Sequence, residues 1–278
     1  MKGIWPRHSL IPIQPMIATD KFLFVHLHKA GGQFVNTALL RYIPGAREIG
    51  YHYPRSSAPA PYIHLPVVGF VRNPWDWYVS WYAFNNARQG MNPLFSVLSE
   101  GGGLDFKHTI ENLLRLTENT LSANRHKTKL LELLPETIEG NRRSGLTRNC
   151  IRSMTDGRVG YLTWLYRRMF SVNGKTENTL IGRMETLRAD LLMTLEDLAV
   201  PISDQLRHYV LYGDRENVST HGPFQQYYNE DLQHLVELKD STIVRQFNYS
   251  FERERANYFM PRCHGNGSDP RRQTDVPK

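Results

Sequence analysis

Two stretches of the chain combine a continuous apolar run, a turn and apolar positions at helical spacing. Residues 21–28 (KFLFVHLH) have the apolar run of a buried strand. Residues 29–32 (KAGG) are a glycine turn, and residues 34–43 (FVNTALLRYI) repeat apolar side chains as an amphipathic helix does. The pattern therefore predicts strand, turn and helix in succession.

A second unit of the same kind begins at residue 66. Residues 66–72 (PVVGFVR) are predicted to form a strand, and Asn73 and Pro74 are residue types that cap and begin a helix. Asp76 suits the positive end of that helix. Two such units favour parallel strands with crossover connections, so the predicted fold is α/β, three-layered (α/β/α), with a central parallel sheet.

The rest of the pattern predicts a single domain over residues 1–260. Residues 85–170 are mostly helical and polar, and we expect them to be an α-rich insertion in that domain. Residues 178–184 read as a further strand and residues 185–200 as an amphipathic helix. Residues 227–247 predict a last helical segment.

The composition excludes several classes of protein. The chain has 278 residues, of which 40% are hydrophobic and 22% charged, so disorder, collagen and coiled coil do not describe the whole. Only the tail, residues 261–278, is predicted to be disordered. Cys150 and Cys263 are too few for a disulfide framework or a structural zinc site. With no signal-peptide pattern and no long apolar run, a cytoplasmic protein without a membrane span is expected.

The charge is uneven along the chain. The formal net charge is +7, and residues 141–188 hold ten basic residues against three acidic ones, which equals that whole excess. This stretch is either a solvated face or a surface that attracts an anion such as a nucleotide, a charged glycan or nucleic acid.

The two turns carry the candidate chemistry. Backbone N–H groups of a glycine turn at a helix start can hold a phosphate, and Lys29 adds a positive charge, although an ordinary tight connection has the same sequence character. The order of lysine and glycines is not that of a Walker A loop. Arg72 leaves an apolar strand, where it suits either a phosphate or a structural ion pair. Trp77, Trp81 and Phe84 have helical spacing and are predicted to be core.

Residues 28–35 (HKAGGQFV) and 71–82 (VRNPWDWYVSWY) together resemble the sulfotransferases that use 3′-phosphoadenosine 5′-phosphosulfate (PAPS). They are most similar to the branch that contains heparan sulfate 2-O- and other carbohydrate sulfotransferases and bacterial homologues. The resemblance implies a P-loop-like fold, PAPS as donor, 3′-phosphoadenosine 5′-phosphate (PAP) as product, and no metal. The sequence departs from the usual first loop at His28, where proline is common, and at Gln33, where a hydroxyl residue is usual.

The resemblance also implies roles for individual residues. The first turn would bind the 5′-phosphosulfate through Lys29, Ala30, Gly31, Gly32, Gln33 and Phe34. Arg72 and Ser80 would bind the 3′-phosphate. Lys29 would also be catalytic, next to the bridging oxygen. His52 is the expected base, with His64 the second choice and Glu48 the third, and His221 could lie near the nucleotide or the acceptor.

The acceptor is expected to bear a hydroxyl or an amine and to be a carbohydrate or another small polar molecule. The basic stretch favours an anionic or sugar acceptor, bound by the 85–170 insertion. Two alternatives stay open: a non-catalytic PAPS- or nucleotide-binding module and, less favoured, a P-loop kinase. Nucleic-acid binding is disfavoured because the basic stretch has no recognisable motif.

Overall fold

A five-stranded mixed sheet organises the chain in the computed structural model, which describes residues 15–88, 91–137, 145–214, 216 and 221–252. The strands are β1 (Pro15–Ala18), β2 (Leu23–Phe24), β3 (Arg47–Tyr51), β4 (Val67–Val71) and β5 (Thr179–Arg183). Their order across the sheet is β3-β1-β2-β4-β5. The protein is therefore a mixed α/β protein, in agreement with the predicted class.

One strand makes the sheet mixed rather than parallel. The predicted parallel pairing is present between β2 and β4 and between β4 and β5. By contrast β1, which was not predicted, runs antiparallel to both β2 and β3. The cause is local: a short turn that the Thr19 side chain stabilises joins β1 to β2, and a hairpin requires antiparallel strands.

Eleven α-helices lie in the described part of the chain. They are α1 (Gly32–Tyr42), α2 (Pro74–Asn86), α3 (Pro93–Leu98), α4 (Phe106–Leu114), α5 (Leu121–Leu133), α6 (Arg148–Arg152), α7 (Tyr161–Phe170), α8 (Leu187–Asp197), α9 (Asp204–Tyr212), α10 (Glu230–Lys239) and α11 (Ser241–Gln246). Short 3₁₀ helices cover Arg55–Ser57, Ala60–Tyr62, Met184–Thr186 and Phe224–Tyr227.

Helices cover both faces of the sheet. A Cβ atom at Gly69 of β4 would lie 2.2 Å from the ring of Phe170 in α7. The neighbouring residue Phe70 points to the other face, where a Cβ at Gly182 of β5 would meet both Phe70 and Asp190 of α8. Therefore α7 and α8 pack on opposite faces.

The predicted helices and strands agree with the structure to different degrees. The strand and helix around residue 73 form as predicted, with the Asn73 side chain accepting from the Trp75 amide. The strand predicted over 21–28 has ladder pairing only at Leu23–Phe24. The last helical segment is two helices that meet at Asp240, and α9 was not predicted. The tail from residue 261 lies outside the described residues.

Helices α3 to α7 share their core with the sheet. Their buried side chains, which include Phe95, Ile110, Leu130 and Phe170, belong to one apolar cluster together with Val68 and Phe70. Within the described ranges, no helix has both the length and the apolar character needed to cross a bilayer.

A buried carboxylate links helices α2 and α7 to the junction of α10 and α11. Asp240, fully buried between α10 and α11, accepts hydrogen bonds from the Tyr78 hydroxyl of α2 (2.7 Å) and from the Thr163 amide of α7 (2.7 Å). The Leu162 amide in turn donates to the Tyr78 oxygen (3.2 Å). Because burial raises the pKa of Asp240, these donors are what stabilise a charged carboxylate there.

Replacing Asp240 with alanine is expected to lower the free energy of unfolding by about 2–4 kcal/mol, because the Tyr78 hydroxyl and the Thr163 amide lose their acceptor. Urea denaturation measures the change. Glu237→Ala, an exposed position on α10, is the matched control and should cost less than about 0.5 kcal/mol. In a Tyr78→Phe background the cost of Asp240→Ala should be smaller; equal costs in both backgrounds would contradict this network.

Candidate functional site

Three turns meet at one edge of the sheet. Strands β2 and β4 are parallel neighbours, and β3 runs in the same direction because β1 opposes both β2 and β3. The carboxyl ends of all three strands therefore lie at the same edge. From β2 the chain crosses through α1 to β3 on one side, and from β4 it continues to β5 on the other side. Such a reversal of strand order is where open α/β sheets bind ligands.

The first turn is sterically determined by its glycines. Gly31, the N-cap of α1, has φ 76°, and a Cβ there would lie 2.3 Å from Leu187. A Cβ at Gly32 would lie 2.1 Å from the ring of His26. Lys29 is itself left-handed, with φ 61°. The close packing alone requires glycine at both positions, whether or not a ligand binds. A lysine in the left-handed backbone region is strained, and such strain is typical of functional sites.

The second turn is bonded to the first. The Trp77 Nε1 donates to the carbonyl of His28 (2.7 Å), and Arg72 Nη1 donates to the carbonyl of Lys29 (3.3 Å). Arg72 is buried and also forms an ion pair with Asp76 at 2.7 Å. Of the two interpretations of Arg72, the structural ion pair is therefore present, and it positions the Lys29 backbone.

The carboxylate of Glu185, whose side chain is 19% exposed, supports the second turn. Glu185 accepts from the Asn73 amide (2.7 Å) and from the Tyr249 hydroxyl (2.9 Å). Burial raises the pKa of Glu185, and these hydrogen bonds act in the opposite direction. Because Asn73 follows Arg72 directly, Glu185 helps to hold the arginine at the edge of the sheet.

The Lys29 amine lies among other cations. Its Nζ is 4.2 Å above the centre of the Phe84 ring, and the guanidinium of Arg88 is 3.9 Å from the same ring. Burial, Arg72 and Arg88, in decreasing order of effect, lower the pKa of Lys29 to about 7. Neither Lys29 nor Arg88 forms an ion pair with a carboxylate in the described part of the chain. An anion at this position would relieve the repulsion.

Three histidines pack together beside the first turn. The rings of His28 and His52 stack with centroids 3.8 Å apart, and His26 is 5.3 Å from His52. Burial, followed by His28 and Lys29, lowers the pKa of His26 to about 3. Burial, followed by Arg168 and Lys29, lowers the pKa of His28 to about 4. Burial also lowers the pKa of His52, which is 3% exposed and left-handed at φ 48°. All three rings are therefore neutral at pH 7.

Several residues expected to bind the donor are packed inside the protein. Ser80 and Ala30 are buried, and Phe34 stacks on Tyr209 with ring centroids 5.1 Å apart. The Oε1 atom of Gln33 is buried and has no hydrogen-bond partner in the described residues. These contacts explain Ala30 and Phe34 as core positions. Lys29, which is half-buried, is the cation of the first turn.

The alternative bases lie elsewhere. His64 is exposed at the amino end of β4, so the length of that strand, about 16 Å, separates it from Arg72. Glu48 is exposed on the edge strand β3. The His221 ring contacts the carbonyl of Gly222, its own neighbour. Of these expected candidates, only His52 is brought next to the first turn.

The basic stretch is largely paired within the protein. Arg142 and Arg143 lie outside the described residues. The other eight basic residues each contact a carboxylate or a backbone carbonyl: Arg148 and Arg152 contact Glu136, Arg158 and Arg167 contact Asp156, Lys175 contacts Glu177, Arg183 contacts Glu185, Arg168 contacts Gly145, and Arg188 contacts Val210 and Gly213. The solvated-face interpretation agrees with these contacts, and an acceptor role for the stretch stays a prediction.

Sequence reasoning missed four members of this site. Arg88 was not considered, Phe84 was predicted only as core, and His26 and His28 were not expected to contact His52. The available signal was spacing, since Arg88 follows Phe84 by four residues and an i, i+4 pair shares a helix face. No comparable local signal connects His28 to His52, because strand direction alone brings them together.

No family model, curated protein or solved structure matches this chain. In the described ranges, no three His, Cys, Asp or Glu side chains form a group that could hold a metal ion. The two turns and the side chains that meet at this edge are therefore the features that bear on function.

The histidine cluster should make the protein sensitive to acid. The folded-state pKa values of His26 and His28 lie below the unfolded value of about 6.5, so the unfolded chain binds protons first as the pH falls. We expect the free energy of unfolding to decrease from pH 6.5 to pH 4. In His26→Gln the decrease should be shallower, whereas the exposed control His208→Gln should keep the wild-type slope. Equal slopes for His26→Gln and wild type in denaturation at several pH values would contradict the neutral cluster.

Proposed function

We propose that this protein is a sulfotransferase that transfers a sulfuryl group from PAPS to a hydroxyl or amine of a carbohydrate or another small polar acceptor. The observation that supports this most is the meeting of the two motif turns. Lys29 and Arg72 follow adjacent parallel strands where the strand order reverses, and a hydrogen bond joins them. Helices on both faces agree with the P-loop-like, three-layer arrangement that belongs to the same proposal.

The charges at this edge suit an anionic donor. Gly31 gives α1 no side-chain cap, so the first amides of α1 are suited to a phosphate or sulfate oxygen, and Lys29 adds a cation. Arg72 has five N–H donors, of which Asp76 and the Lys29 carbonyl engage three, so it can still contact the 3′-phosphate. Ser80 fits less well, since its burial means that neighbouring groups must shift before its hydroxyl reaches a phosphate.

The reaction is an in-line displacement at sulfur. PAPS supplies the sulfuryl group and PAP is the leaving group. As the acceptor oxygen bonds to sulfur, the bond from sulfur to the bridging oxygen breaks, and the acceptor proton passes to a base. Lys29 would stabilise the negative charge that develops on the bridging oxygen. The turns would hold the reacting groups in line, which supplies much of the rate enhancement in such transfers.

His52 is the base that the proposal assigns. Its ring is neutral, which is the form that accepts a proton. Burial and the His28 ring weaken it as a base, and an anionic donor beside the cluster would raise its pKa toward the useful range. The stacked His28, which the usual family loop lacks, holds the His52 ring in place.

The nucleotide preference tests the proposal directly. By calorimetry, PAP should bind more tightly than ATP with magnesium. The site supplies cations and backbone amides for phosphate groups, and strands β2 and β4 contain no acidic residue to bind the magnesium ion. Arg72→Gln should weaken PAP more than adenosine 5′-phosphate, which lacks the 3′-phosphate. Tighter binding of ATP with magnesium than of PAP would overturn the proposal, and equal losses for both nucleotides would contradict the role of Arg72.

The base assignment is tested with a pair of histidine variants. His52→Asn should reduce sulfate transfer by at least about 100-fold while PAP still binds, because asparagine tolerates the left-handed backbone but cannot accept the proton. His64→Asn, exposed at the far end of β4, should keep the wild-type rate. Transfer of labelled sulfate to a panel of hydroxyl and amine acceptors measures both. A wild-type rate in His52→Asn would show that another group is the base.

A non-catalytic nucleotide-binding module is the second candidate. The burial of His52 favours it, because a base that is 3% exposed needs a rearrangement before it can reach an acceptor. Such a module would bind PAP with the same dependence on Arg72 but would transfer no sulfate to any acceptor. The two assays above therefore separate it from the enzyme.

A further inference from the structure

Five residues recur at four-residue intervals along the second motif and the helix that follows it. They are Arg72, Asp76, Ser80, Phe84 and Arg88. Residues four apart lie on neighbouring turns of one helix face, so Asp76, Ser80 and Phe84 form a stripe along α2, and the two arginines flank it. The 13 residues of α2 span about 20 Å. The stripe therefore has two cationic ends, Arg72 before the helix and Arg88 just after it.

The two ends differ in how their arginines are used. At the first end, the guanidinium of Arg72 donates to both Asp76 and the carbonyl of Lys29. Arg72 is also buried. At the other end, Arg88 is only half-buried, and its guanidinium has no carboxylate partner among the residues that the structure describes. The planar fork of Arg88 is therefore the one with its donors available.

The Lys29 side chain points to the Arg88 end. Its Nζ lies 4.2 Å from the centre of the Phe84 ring, and the Arg88 guanidinium lies 3.9 Å from that same centre. The negative face of an aromatic ring stabilises a nearby cation modestly. Two cations that share one ring still repel each other, and this repulsion contributes to the lowered pKa of Lys29. A bound anion would offset it.

We propose that Lys29, Phe84 and Arg88 form an oxyanion subsite that binds a sulfate or phosphate group, in which both cations pack against the Phe84 ring. Arg88 binds the oxyanion through two parallel N–H donors, the geometry that a guanidinium offers to tetrahedral oxyanions. Lys29 contributes the second charge. Arg88 lies at the opposite end of α2 from Arg72, so the subsite uses a different arginine from the proposed 3′-phosphate contact.

Two molecules could carry the oxyanion. One is the phosphosulfate end of the donor, and the other is an anionic group on the acceptor. The existence of the subsite does not depend on the proposed function, but the choice between these two molecules does. Inorganic sulfate is therefore the first probe, since it reports on the subsite without any nucleotide.

The test compares Arg88→Gln with Arg115→Gln, a change at an exposed arginine on the surface that pairs with Glu118. Calorimetry with sodium sulfate should show binding to the wild type and to Arg115→Gln, and affinity at least about tenfold weaker in Arg88→Gln. Unchanged sulfate affinity in Arg88→Gln, or no sulfate binding to the wild type, would overturn the proposal.

Repeating the titration with saturating PAP identifies the source of the oxyanion. If PAP displaces sulfate and Arg88→Gln weakens PAP, the subsite holds the donor. If sulfate still binds beside PAP and still depends on Arg88, the subsite holds the acceptor, and the acceptor is anionic. Both results support the subsite. If sulfate binding depends on Arg88 but the protein does not bind PAP, the subsite is supported and the sulfotransferase proposal is overturned.

A second measurement does not depend on ligand binding. The pKa of Lys29, about 7 in the wild type, follows from the pH dependence of its acetylation rate, measured by mass spectrometry. Removing the Arg88 charge should raise this pKa, whereas Arg115→Gln should leave it unchanged. An unchanged pKa in a folded Arg88→Gln protein would show that the two cations do not share a site.

Discussion

The candidate site depends on two hydrogen bonds that run from the second turn to the backbone of the first. The Trp77 indole donates to the carbonyl of His28, and the Arg72 guanidinium donates to the carbonyl of Lys29. His28 and Lys29 lie beyond the ladder pairing of β2, which ends at Phe24, so their carbonyls need other donors. Arg72 and Trp77 supply those donors. The first turn therefore has its observed shape only when the second turn is present, and the two act as one unit.

The same arrangement sets the electrostatics of the edge. Asp76 and the Lys29 carbonyl engage much of Arg72, so the arginine acts as a bridge between turns as well as a charge. Lys29 and Arg88 share the Phe84 ring and have no carboxylate partner in the described ranges. The three packed histidines stay neutral and add no charge to this side. The protein thus holds two cations close together at a cost, and binding of an anion would offset that cost.

Local sequence patterns correctly predicted several of the helices and strands that line this site. The Asn73 cap, the helix after it and strands β4 and β5 occur where the sequence places them, since capping and apolar runs are properties of a few adjacent residues. The patterns failed where a distant contact decides the structure. β1 is a short strand defined by its pairing with β2 and β3. The break between α10 and α11 occurs at Asp240, whose carboxylate accepts hydrogen bonds from Tyr78 and Thr163. The helical periodicity of residues 227–247 does not indicate those distant partners.

The sequence by itself determined the chemistry that the site has available. It placed a lysine and two glycines after one apolar strand and an arginine after another, because the strand ends and helix starts of an α/β protein are marked by local residue types. Only the tertiary structure decided how these residues are used. The direction of β3, set by the antiparallel β1 between it and β2, brings His52 onto His28. Because α2 packs beside the first turn, Arg72 donates a hydrogen bond to the Lys29 carbonyl, and Arg88 and the Lys29 amine lie near the same Phe84 ring. Strand direction and helix packing depend on residues far apart in the chain, so no local pattern could have contained them.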